Sequence, residues 1–486
     1  MKKLLIVFTL FLSDMAVVGQ TTFEKIISDP KNQIAIDVLE TSDGYILLTD
    51  IGVFAANDFK TQLFKIDKYG EILYEKVINT HSSIYIIGKI IDLKNDNYLC
   101  FAFQKVDLDS SSFFTVLKFD GDFNIIWEKK YLSPFYSIGS YNIEKFNTDY
   151  YIIGNGARGN NGLYENFSYR VNAEGDTLSS KIYPGSGLVA PFAVIPYLGH
   201  EAFKVFVRGY HQQTNTPGQI MIIDTLLEMN DLKGIPSDVF SYNDAKYINN
   251  SHYLLTGKKT MYNSSPQDDQ LAIMIMDTSD VMIDIKYFGA SDTLDYPSFF
   301  ENLSFIDTNS VFYGGTKNTI FTTFPPLPSW FIINNLKSNL ELNWQKFYGG
   351  DAYYQMWTMI ATSDGGCLMA GTRYDYLTQN NERDIFIIKV DANGLVTGVN
   401  DEPPLIPVHD AILYPNPATE NVTIEFSQLY TSATLQLMDI SGKTVFRTQL
   451  TGNRQTIDIS ALPAGTYVYR ISNQKGLEEA GKLVVE

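Results

Sequence analysis

Short apolar segments separated by turn-forming residues follow one another along most of the chain. In the clearest stretch, the apolar segment 357–361 precedes the turn Thr362-Ser-Asp-Gly-Gly366, and the apolar segment 367–370 follows it. A polar stretch then leads to the segment 384–390 and the turn Asp391-Ala-Asn-Gly394. No stretch longer than about ten residues keeps the 3.6-residue apolar period of an amphipathic helix. The pattern therefore predicts an all-β fold of short strands joined by tight turns.

The same pattern recurs at intervals of roughly 50 residues, a spacing typical of repeat architectures. Each unit is interpreted as four strands, with a Ser-Asp-Gly or Asn-Asp-Asn hairpin after the first and a tight turn carrying Gly70, Gly121, Gly175 or Gly394 after the third. Seven such units predict a seven-bladed β-propeller, whereas the alternative, an extended β-solenoid, usually has repeats of about 20–30 residues. The units lie near residues 34–70, 90–121, 150–175, 192–224, 245–277, 303–346 and 357–394.

The last unit lacks its fourth strand, because prolines follow soon after Asn400. A matching segment stands near the N-terminus, where residues 22–27 (TFEKII) resemble residues 73–78 (LYEKVI) of the first unit. We therefore expect residues 22–27 to pair antiparallel with residues 384–390 and to complete the last blade. Such a closure removes the free edge of an open ring.

The first nineteen residues have the features of a signal peptide. Lys2 and Lys3 precede the apolar run 4–12, and small residues end at Gly19, so we expect cleavage before Gln20. A membrane anchor is the alternative, but it needs about 20 apolar residues, and Asp14 interrupts this run. The predicted organisation is a signal peptide at 1–19, a propeller at 20–400, a proline-rich linker at 401–410 and a separate tail at 411–486.

The tail has short strands of alternating hydrophobicity, with turn signals every 8–12 residues. The strands are predicted at 422–426, 433–439 and 445–450, and residues 457–471 lead to a last strand at 481–486. Short alternating strands of this kind predict a small, immunoglobulin-like β-sandwich.

Three motifs give the tail a close resemblance to the type A C-terminal sorting domain of the type IX secretion system. The chain has Tyr-Pro-Asn-Pro-Ala at 414–418, Asp-Ile-Ser-Gly-Lys at 439–443 and Leu-Pro-Ala-Gly-Thr-Tyr at 462–467, in the order and spacing of that family. The residues that carry the resemblance are Tyr414, Pro415, Asn416, Pro417, Gly442, Lys443, Leu462, Pro463, Gly465, Tyr467 and Lys482. The resemblance implies recognition by the outer-membrane translocon and removal by a sortase-like peptidase, with the cargo released or attached to the cell surface. The repeat units are similar to those of propeller proteins secreted by Bacteroidetes.

Composition narrows the classes of partner. Hydrophobic residues make up 45% and charged residues 19% of the 486, a globular balance. The formal net charge of −18 repels phosphate backbones, so nucleic acid is not an expected partner. Cys100 and Cys367 both lie in apolar segments and are predicted to be separate buried thiols rather than a disulfide.

Known catalytic and metal-binding motifs are absent from the sequence, so no catalytic, cofactor-binding or metal-binding residue is assigned. Ca²⁺ is the one cation whose hard-oxygen ligands occur close together, at residues 107–112 and 267–270. Both stretches are interpreted instead as solvated loops. Loops with Tyr and Asn, near residues 164–166, 262–265 and 374–376, have the residue types that stack on sugars and bind hydroxyl groups.

Three hypotheses about the propeller remain open. Under the first, the propeller is a non-catalytic binding or adhesion module for a glycan or a protein. Under the second, it is a glycan-acting hydrolase with carboxylates around the central channel. Under the third, it is a structural module that carries the tail. A cluster of inward-facing Asp, Glu and Arg residues would favour the hydrolase. A channel lined by small or apolar residues would favour binding or structure.

Overall fold

The computed structural model describes residues 21–486, apart from residues 54–57, 79–85, 106–111, 136, 158–163, 184–188, 209–217, 236, 262–267, 290–292, 321–324, 379–381, 397–407, 410, 440–441 and 474–477. The expected signal peptide and most of the expected linker therefore lie outside the described residues. Every regular element in the described part is a β-strand. This confirms the all-β fold.

Seven antiparallel sheets follow one another along the chain, as four-stranded propeller blades would. Sheet 7 takes its outer strand from the N-terminus, β1 (Phe23–Ile27). Sheet 1 consists of β2 (Asn32–Glu40), β3 (Gly44–Val53), β4 (Asp58–Asp67) and β5 (Ile72–Val77). Sheet 2 consists of β6 (Ile86–Lys94), β7 (Asn97–Lys105), β8 (Ser112–Asp120) and β9 (Ile125–Ser133). Sheet 3 consists of β10 (Ser137–Phe146), β11 (Asp149–Ala157), β12 (Tyr164–Val171) and β13 (Thr177–Tyr183).

Sheets 4 to 7 occupy the second half of this region. In sheet 6 two short strands, β22 and β23, share the inner position. Sheet 4 consists of β14 (Val189–Pro196), β15 (Ala202–Arg208), β16 (Gly218–Asp224) and β17 (Met229–Ile235), and sheet 5 of β18 (Val239–Tyr247), β19 (His252–Met261), β20 (Asp268–Asp277) and β21 (Met282–Phe288). Sheet 6 contains β22 (Tyr296–Pro297), β23 (Leu303–Asp307), β24 (Ser310–Lys317), β25 (Trp330–Leu336) and β26 (Leu342–Gly349). Sheet 7 adds β27 (Tyr353–Ala361), β28 (Cys367–Tyr374) and β29 (Asp384–Val390) to β1.

One turn geometry links the third and fourth strands of sheets 1 to 6 and follows the third strand of sheet 7. In each case the N–H of one residue donates to the carbonyl three positions earlier, and this carbonyl belongs to the last residue of the third strand or to the residue directly after it. A side-chain oxygen of Asp or Asn caps six of the seven turns, as Asp67 does by accepting from the N–H groups of Tyr69 and Glu71. The seven donor–acceptor pairs are Gly70–Asp67, Phe123–Asp120, Gly175–Asn172, Leu227–Asp224, Asp280–Asp277, Leu340–Lys337 and Gly394–Asp391.

The residue at the end of this turn has a left-handed backbone in all seven copies. Three copies use glycine, the residue that adopts positive φ without a steric cost. The others use Phe123, Leu227, Asp280 and Leu340, with φ between 58° and 70°. Gly121 lies in this turn of the second unit, as the sequence predicts, but the left-handed residue there is Phe123. Because four copies have a residue other than glycine at this position, these copies lack the glycine by which the repeat is recognised in the sequence.

Each sheet contacts this turn of the next sheet through its outer strand. Trp127 of β9 packs on Gly175, and Trp344 of β26 packs on Gly394 so closely that an added Cβ would lie 2.8 Å from the indole. The hydroxyl of Tyr183 on β13 donates to the carbonyl of Leu227 at 2.8 Å. These contacts pair the outer strand of one sheet with the turn of the following sheet.

The apolar cores lie between the sheets. Six clusters of buried side chains each join two sheets that are consecutive in the chain, and a seventh cluster joins sheet 7 to sheet 1. That cluster contains Phe23 and Ile27 of β1 together with Leu47 of β3 and Ile385 of β29. Strand β1 pairs antiparallel with β29, from Phe23 opposite Lys389 to Ile27 opposite Ile385. This is the pairing that the sequence predicts.

The hairpin aspartates of the repeat are also held within their own sheets. Asp364 of the turn before β28 pairs with the Lys389 ammonium at 3.0 Å, and Asp43 pairs with Lys65 at 3.1 Å in the same arrangement. These aspartates are therefore structural. Cys100 and Cys367 are free and buried, as predicted.

The tail forms a further five-stranded sheet. Its strands, preceded by the short β30 (Val408–His409), are β31 (Ala411–Tyr414), β32 (Asn421–Met438), β33 (Thr444–Asp458), β34 (Gly465–Ser472) and β35 (Glu478–Val485). The two segments predicted at 422–426 and 433–439 lie mostly on one long strand, β32, which pairs with β31 along its first half and with β34 along its second. All five strands contribute to one apolar core.

Replacing Phe23 by alanine should destabilise the sheets strongly, because the ring is 5% exposed and fills the space between sheet 7 and Gly70 of sheet 1. We expect a loss of about 3–5 kcal/mol in the free energy of unfolding, measured by urea titration. Leu73→Ala, on the exposed face of the outer strand β5, is the control and should cost well under half as much. Equal losses from both variants would contradict the role of β1.

Candidate functional site

The inner strands of the sheets meet around a common centre. Strand β2 contacts both β6 and β27, β14 contacts β10 and β18, and β18 contacts β23. Side chains from β2, β6, β10, β14 and β18, and from the segment before β23, line two adjoining cavities there. We call these residues the central cluster. Its charged members are Asp37, Lys89, Glu144, Asp244, Lys246 and Glu301.

Asp37 and Asp244 occupy equivalent positions on β2 and β18, next to a register shift in each strand. One carboxylate oxygen of Asp37 accepts from the N–H of Val38 at 2.9 Å, and the other accepts from the N–H of Ile90 on β6 at 2.8 Å. Asp244 repeats this arrangement with Ala245 and with Leu303 on β23. Both carboxylates therefore connect the inner strands of neighbouring sheets.

Lys89 and Glu301 form an ion pair across the centre, with the ammonium nitrogen 2.9 Å from the carboxylate oxygen. Burial alone would raise the pKa of Glu301, but the adjacent Lys89 holds this pKa below its ordinary value. Burial, together with the negative charge of Glu301, raises the pKa of Asp37. One carboxylate of the cluster is therefore firmly ionised, and the other tends to keep its proton.

Glu144 and Lys246 differ from these four residues. Neither side chain makes a hydrogen bond or an ion pair with any part of the chain that the structure describes. Both line a cavity of about 230 Å³, together with the ring of Phe300 and the side chain of Tyr247. A carboxylate, an ammonium group and aromatic rings around one cavity can bind a polar ligand that also has an apolar face.

The protonation of Glu144 follows from its surroundings. Burial raises its pKa from 4.5 to about 7, opposed by Lys89 and Lys246 and reinforced by Asp244 and Glu301. Burial also raises the pKa of Asp244, to about 6. Near neutral pH, Glu144 therefore exists in both protonation states and can donate or accept a hydrogen bond.

The central cluster was not predicted residue by residue from the sequence. Sheets 1, 2, 3, 5 and 6 each contribute one or two of its charged side chains, and these residues lie up to about 260 positions apart. One signal was available: Asp37 and Asp244 are charged residues on inner strands that are otherwise mostly buried. A charged residue on the inner strand of a repeat indicates either a hydrogen bond to the neighbouring sheet or a ligand-binding site.

The structure brings the sorting motifs of the tail together at one end of its sheet. Across the sheet, Thr444 lies opposite Met438, Met438 opposite Val468, and Val468 opposite Lys482. The Asn416 amide donates to the carbonyl of Lys482 at 2.6 Å and accepts from the N–H of Val484 at 2.8 Å. The three motifs and the terminal lysine therefore form one surface.

The individual motif residues have distinct positions on that surface. Exposed residues are Pro415, Pro417, Gly442, Lys443, Pro463, Gly465 and Lys482, whereas Asn416 and Leu462 are partly buried. Tyr467 is buried, and its hydroxyl donates to the carbonyl of Pro463 at 2.6 Å. Tyr414 is also buried, but against sheet 6 rather than within the tail.

The other candidate stretches fare differently. The interpretation of 267–270 as a solvated loop is wrong for its described residues, because Asp268 and Asp269 are buried on β20 and Asp269 pairs with Lys258 at 2.8 Å. Residues 107–111 and 262–265 lie outside the described residues. Residues 164–166 begin β12 rather than a loop. No group of three or more His, Cys, Asp or Glu residues suited to a metal ion occurs in the described parts of the chain.

Comparison with known proteins identifies the tail. Residues 412–486 match the family described as the secretion system C-terminal sorting domain. The tail is therefore a type IX sorting domain, which directs the protein to the cell surface or the extracellular space. Among the described residues, none forms a helix with the length and hydropathy that crossing a bilayer requires.

Several solved structures resemble the chain at low sequence identity. An extracellular domain of a putative hybrid two component system from B. thetaiotaomicron aligns at 13% identity and a TM-score of 0.42, over 96% of this chain and 60% of that one. A fungal alcohol oxidase aligns at 11% identity and a TM-score of 0.34, over 96% and 99% of the two chains. A GH43 β-1,3-galactosidase aligns at 9% identity and a TM-score of 0.33, over 52% and 93%. No curated protein sequence matches the chain.

Glu144 should make the stability of the folded chain depend on pH. Because its folded pKa is raised to about 7, the folded chain holds this proton at pH values where the unfolded chain has lost it. The resulting stabilisation is complete below the unfolded pKa and is lost as the pH rises through 7. Glu144→Gln, which cannot ionise, should therefore be about 1–3 kcal/mol more stable than the wild type at about pH 8 and similar to it at about pH 5.

Urea unfolding at the two pH values measures this difference. Glu128→Gln is the control, since Glu128 is exposed on the outer strand β9. It should leave the pH dependence unchanged. An unchanged pH dependence in Glu144→Gln as well would show that this carboxyl is not buried as described.

Proposed function

We propose that this chain is an exported, ligand-binding β-propeller of seven blades that binds a saccharide in its central cavity. Seven copies of one left-handed turn support the blade count, as do the seven apolar clusters between consecutive sheets. The cluster shared by sheets 7 and 1 supports a closed ring, with β1 as the outer strand of the last blade. The proposed domain limits are those expected from the sequence, with the propeller at 20–400.

For the tail we propose the immunoglobulin-like sandwich expected from the sequence. The long strand β32 pairs with different partners along its two halves. Side chains from both halves, including Val422 and Leu437, belong to the same apolar core. A strand whose two halves face one core must bend, which allows one sheet to fold into two layers.

The observation that carries the ligand-binding proposal is the pair Glu144 and Lys246 in the central cavity. Their side chains make no bond with the described residues, whereas the other four charged residues of the cluster connect sheets or pair with each other. Carboxylates and ammonium groups bind sugar hydroxyls, and the Phe300 ring offers an apolar face for stacking. At about 230 Å³, the cavity is below the ~300–1,000 Å³ of sites for drug-sized ligands, so one sugar ring is the expected occupant.

A glycan-acting hydrolase is the second candidate, and carboxylates that face the centre are the feature expected of it. It ranks second because Asp37, Asp244 and Glu301 already bond to neighbouring sheets. Within the described residues this leaves Glu144 as the one carboxylate of the cluster without such a bond. The raised pKa of Glu144, about 7, is what a general acid that works near neutral pH requires. Asp244 and Glu301 would be candidates for the second carboxylate that glycoside hydrolysis needs. Under this alternative, the same cavity binds the glycan and cleaves it.

A glycan array and a panel of chromogenic glycosides, tested on the full chain, separate these functions. We expect saccharide binding without turnover, and a loss of affinity of about tenfold or more in Glu144→Gln. Glu128→Gln, far from the cavity on an outer strand, should bind as the wild type does. Turnover that disappears in Glu144→Gln would establish the hydrolase instead, and neither binding nor turnover would leave the propeller a structural carrier of the tail.

Export itself should depend on the tail. The wild-type chain should appear outside the cell, whereas a chain that ends at Asn400 should remain in the periplasm, because the translocon reads the sorting domain. Cell fractionation with antibody detection of the propeller measures this. Equal amounts of both chains at the surface would contradict the role of residues 412–486.

A further inference from the structure

The sorting domain packs directly on sheet 6, although a proline-rich segment precedes it. Strand β30 pairs antiparallel with the outer strand β26, with His409 opposite Phe347 and Val408 opposite Tyr348. Strand β31 follows, and its residues Ile412 and Tyr414 belong to the apolar core between sheets 5 and 6. The segment directly before the tail therefore extends sheet 6, and the tail itself shares an apolar core with sheets 5 and 6.

A buried ion pair lies at the centre of this contact. The Lys317 ammonium on β24 lies 2.7 Å from the Glu425 carboxylate on β32, and the two side chains are 0% and 10% exposed. The Tyr414 hydroxyl donates to the same carboxylate at 2.6 Å, and the Tyr414 ring centroid lies 5.0 Å from the Lys317 nitrogen. Glu425 of the tail thus neutralises the charge of Lys317, and the Tyr414 ring shields the Lys317 ammonium from solvent.

Burial energetics make this contact specific. A buried ammonium without a partner is strongly unfavourable, and in the described parts of the chain Glu425 is the one carboxylate paired with Lys317. Burial of Glu425 would raise its pKa, but Lys317 and the Tyr414 hydroxyl hold the pKa below its ordinary value. Each partner is therefore stable as an ion in this environment only while the other is in place.

The contact also determines which part of the tail faces outward. Tyr414, the first residue of the opening motif, is covered by sheet 6, whereas Pro415, Pro417, Lys443 and Lys482 are exposed. The surface formed by the other motif residues is thus presented in a fixed orientation relative to the sheets. Since Lys317 and β26 hold these positions only in the folded sheet 6, this orientation requires a folded propeller.

We propose that sheet 6 is a docking site for the chain's own sorting domain, through Lys317, Glu425 and Tyr414, and that docking makes presentation of the sorting signal depend on a folded propeller. The interaction is intramolecular and needs no further partner. None of these three residues lines the central cavities, so the proposal is independent of ligand binding.

Hydrogen exchange on the full-length protein tests the docking. Lys317→Met keeps the length of the side chain and removes the charge, and Glu425→Gln removes the charge from the tail side. In both variants we expect the amides of β26 and β31 to exchange about tenfold faster or more, because one buried charge has lost its partner. The strands β34 and β35, which pair within the sheet of the tail, should keep wild-type rates. Lys337→Met, an exposed lysine of the same sheet, is the control and should change none of these rates.

The double variant adds a test of coupling. If Lys317 and Glu425 act on each other, then Glu425→Gln should add little once Lys317→Met is present. Additive effects in the double variant, or wild-type exchange of β26 and β31 in both single variants, would overturn the docking site. Faster exchange of β34 and β35 in both single variants would also overturn it, since the substitutions would then unfold the tail rather than release it.

Export tests the dependence on docking. At equal cellular amounts of protein, the exported fraction of Lys317→Met and of Glu425→Gln should fall several-fold below that of Lys337→Met. Equal exported fractions for all three variants would show that the translocon reads the tail whether or not it is docked.

Discussion

The fold depends on the need to cover both faces of every sheet. In sheets 1 to 7 the strands between the inner and outer edges are buried on both sides, as β11, β16 and β25 show along nearly their whole length. If the seven sheets formed an open row, the first and the last sheet would each expose one apolar face to solvent. The cluster that joins sheet 7 to sheet 1 covers both ends at once. The left-handed turn repeats because each sheet must fit against the next, and in three copies an aromatic ring packs on the glycine of this turn.

This geometry also accounts for the central cluster. When several sheets converge, their inner strands bring backbone N–H groups and side chains close together, and polar groups there must be paired. Asp37 and Asp244 satisfy this requirement by accepting N–H groups from the neighbouring sheet, and Lys89 satisfies it by pairing with Glu301. Glu144 and Lys246 are the charged residues of the cluster that this structural requirement does not explain. They carry the proposed function for that reason.

Sequence reasoning succeeded where the physical cause is local and failed where it is not. The hairpin and turn residues, the strand pairing of β1 and the sorting motifs all follow from short segments, and each could be predicted. The fourth, fifth and sixth units were harder to recognise, because Leu227, Asp280 and Leu340 replace glycine in the left-handed turn. Glycine would adopt this backbone conformation freely. In these three units a capping side chain or the packing of the adjacent sheet stabilises it instead. The central cluster and the Lys317–Glu425 pair join residues that are distant in sequence and have no motif. Only the three-dimensional structure brings them together.

Closure of the ring by β1 is the central claim, because the enclosed cavity and the two-sided burial of sheets 1 and 7 depend on it. Amide hydrogen exchange of β1, measured by mass spectrometry on the native protein, tests it most directly. If β1 closes the ring, its amides that bond to β29 should exchange as slowly as those between β28 and β29, because both sets should then open only on global unfolding. Rapid exchange along β1, with β28 and β29 still protected, would show that the N-terminal segment lies loose and that the ring is not closed in this way.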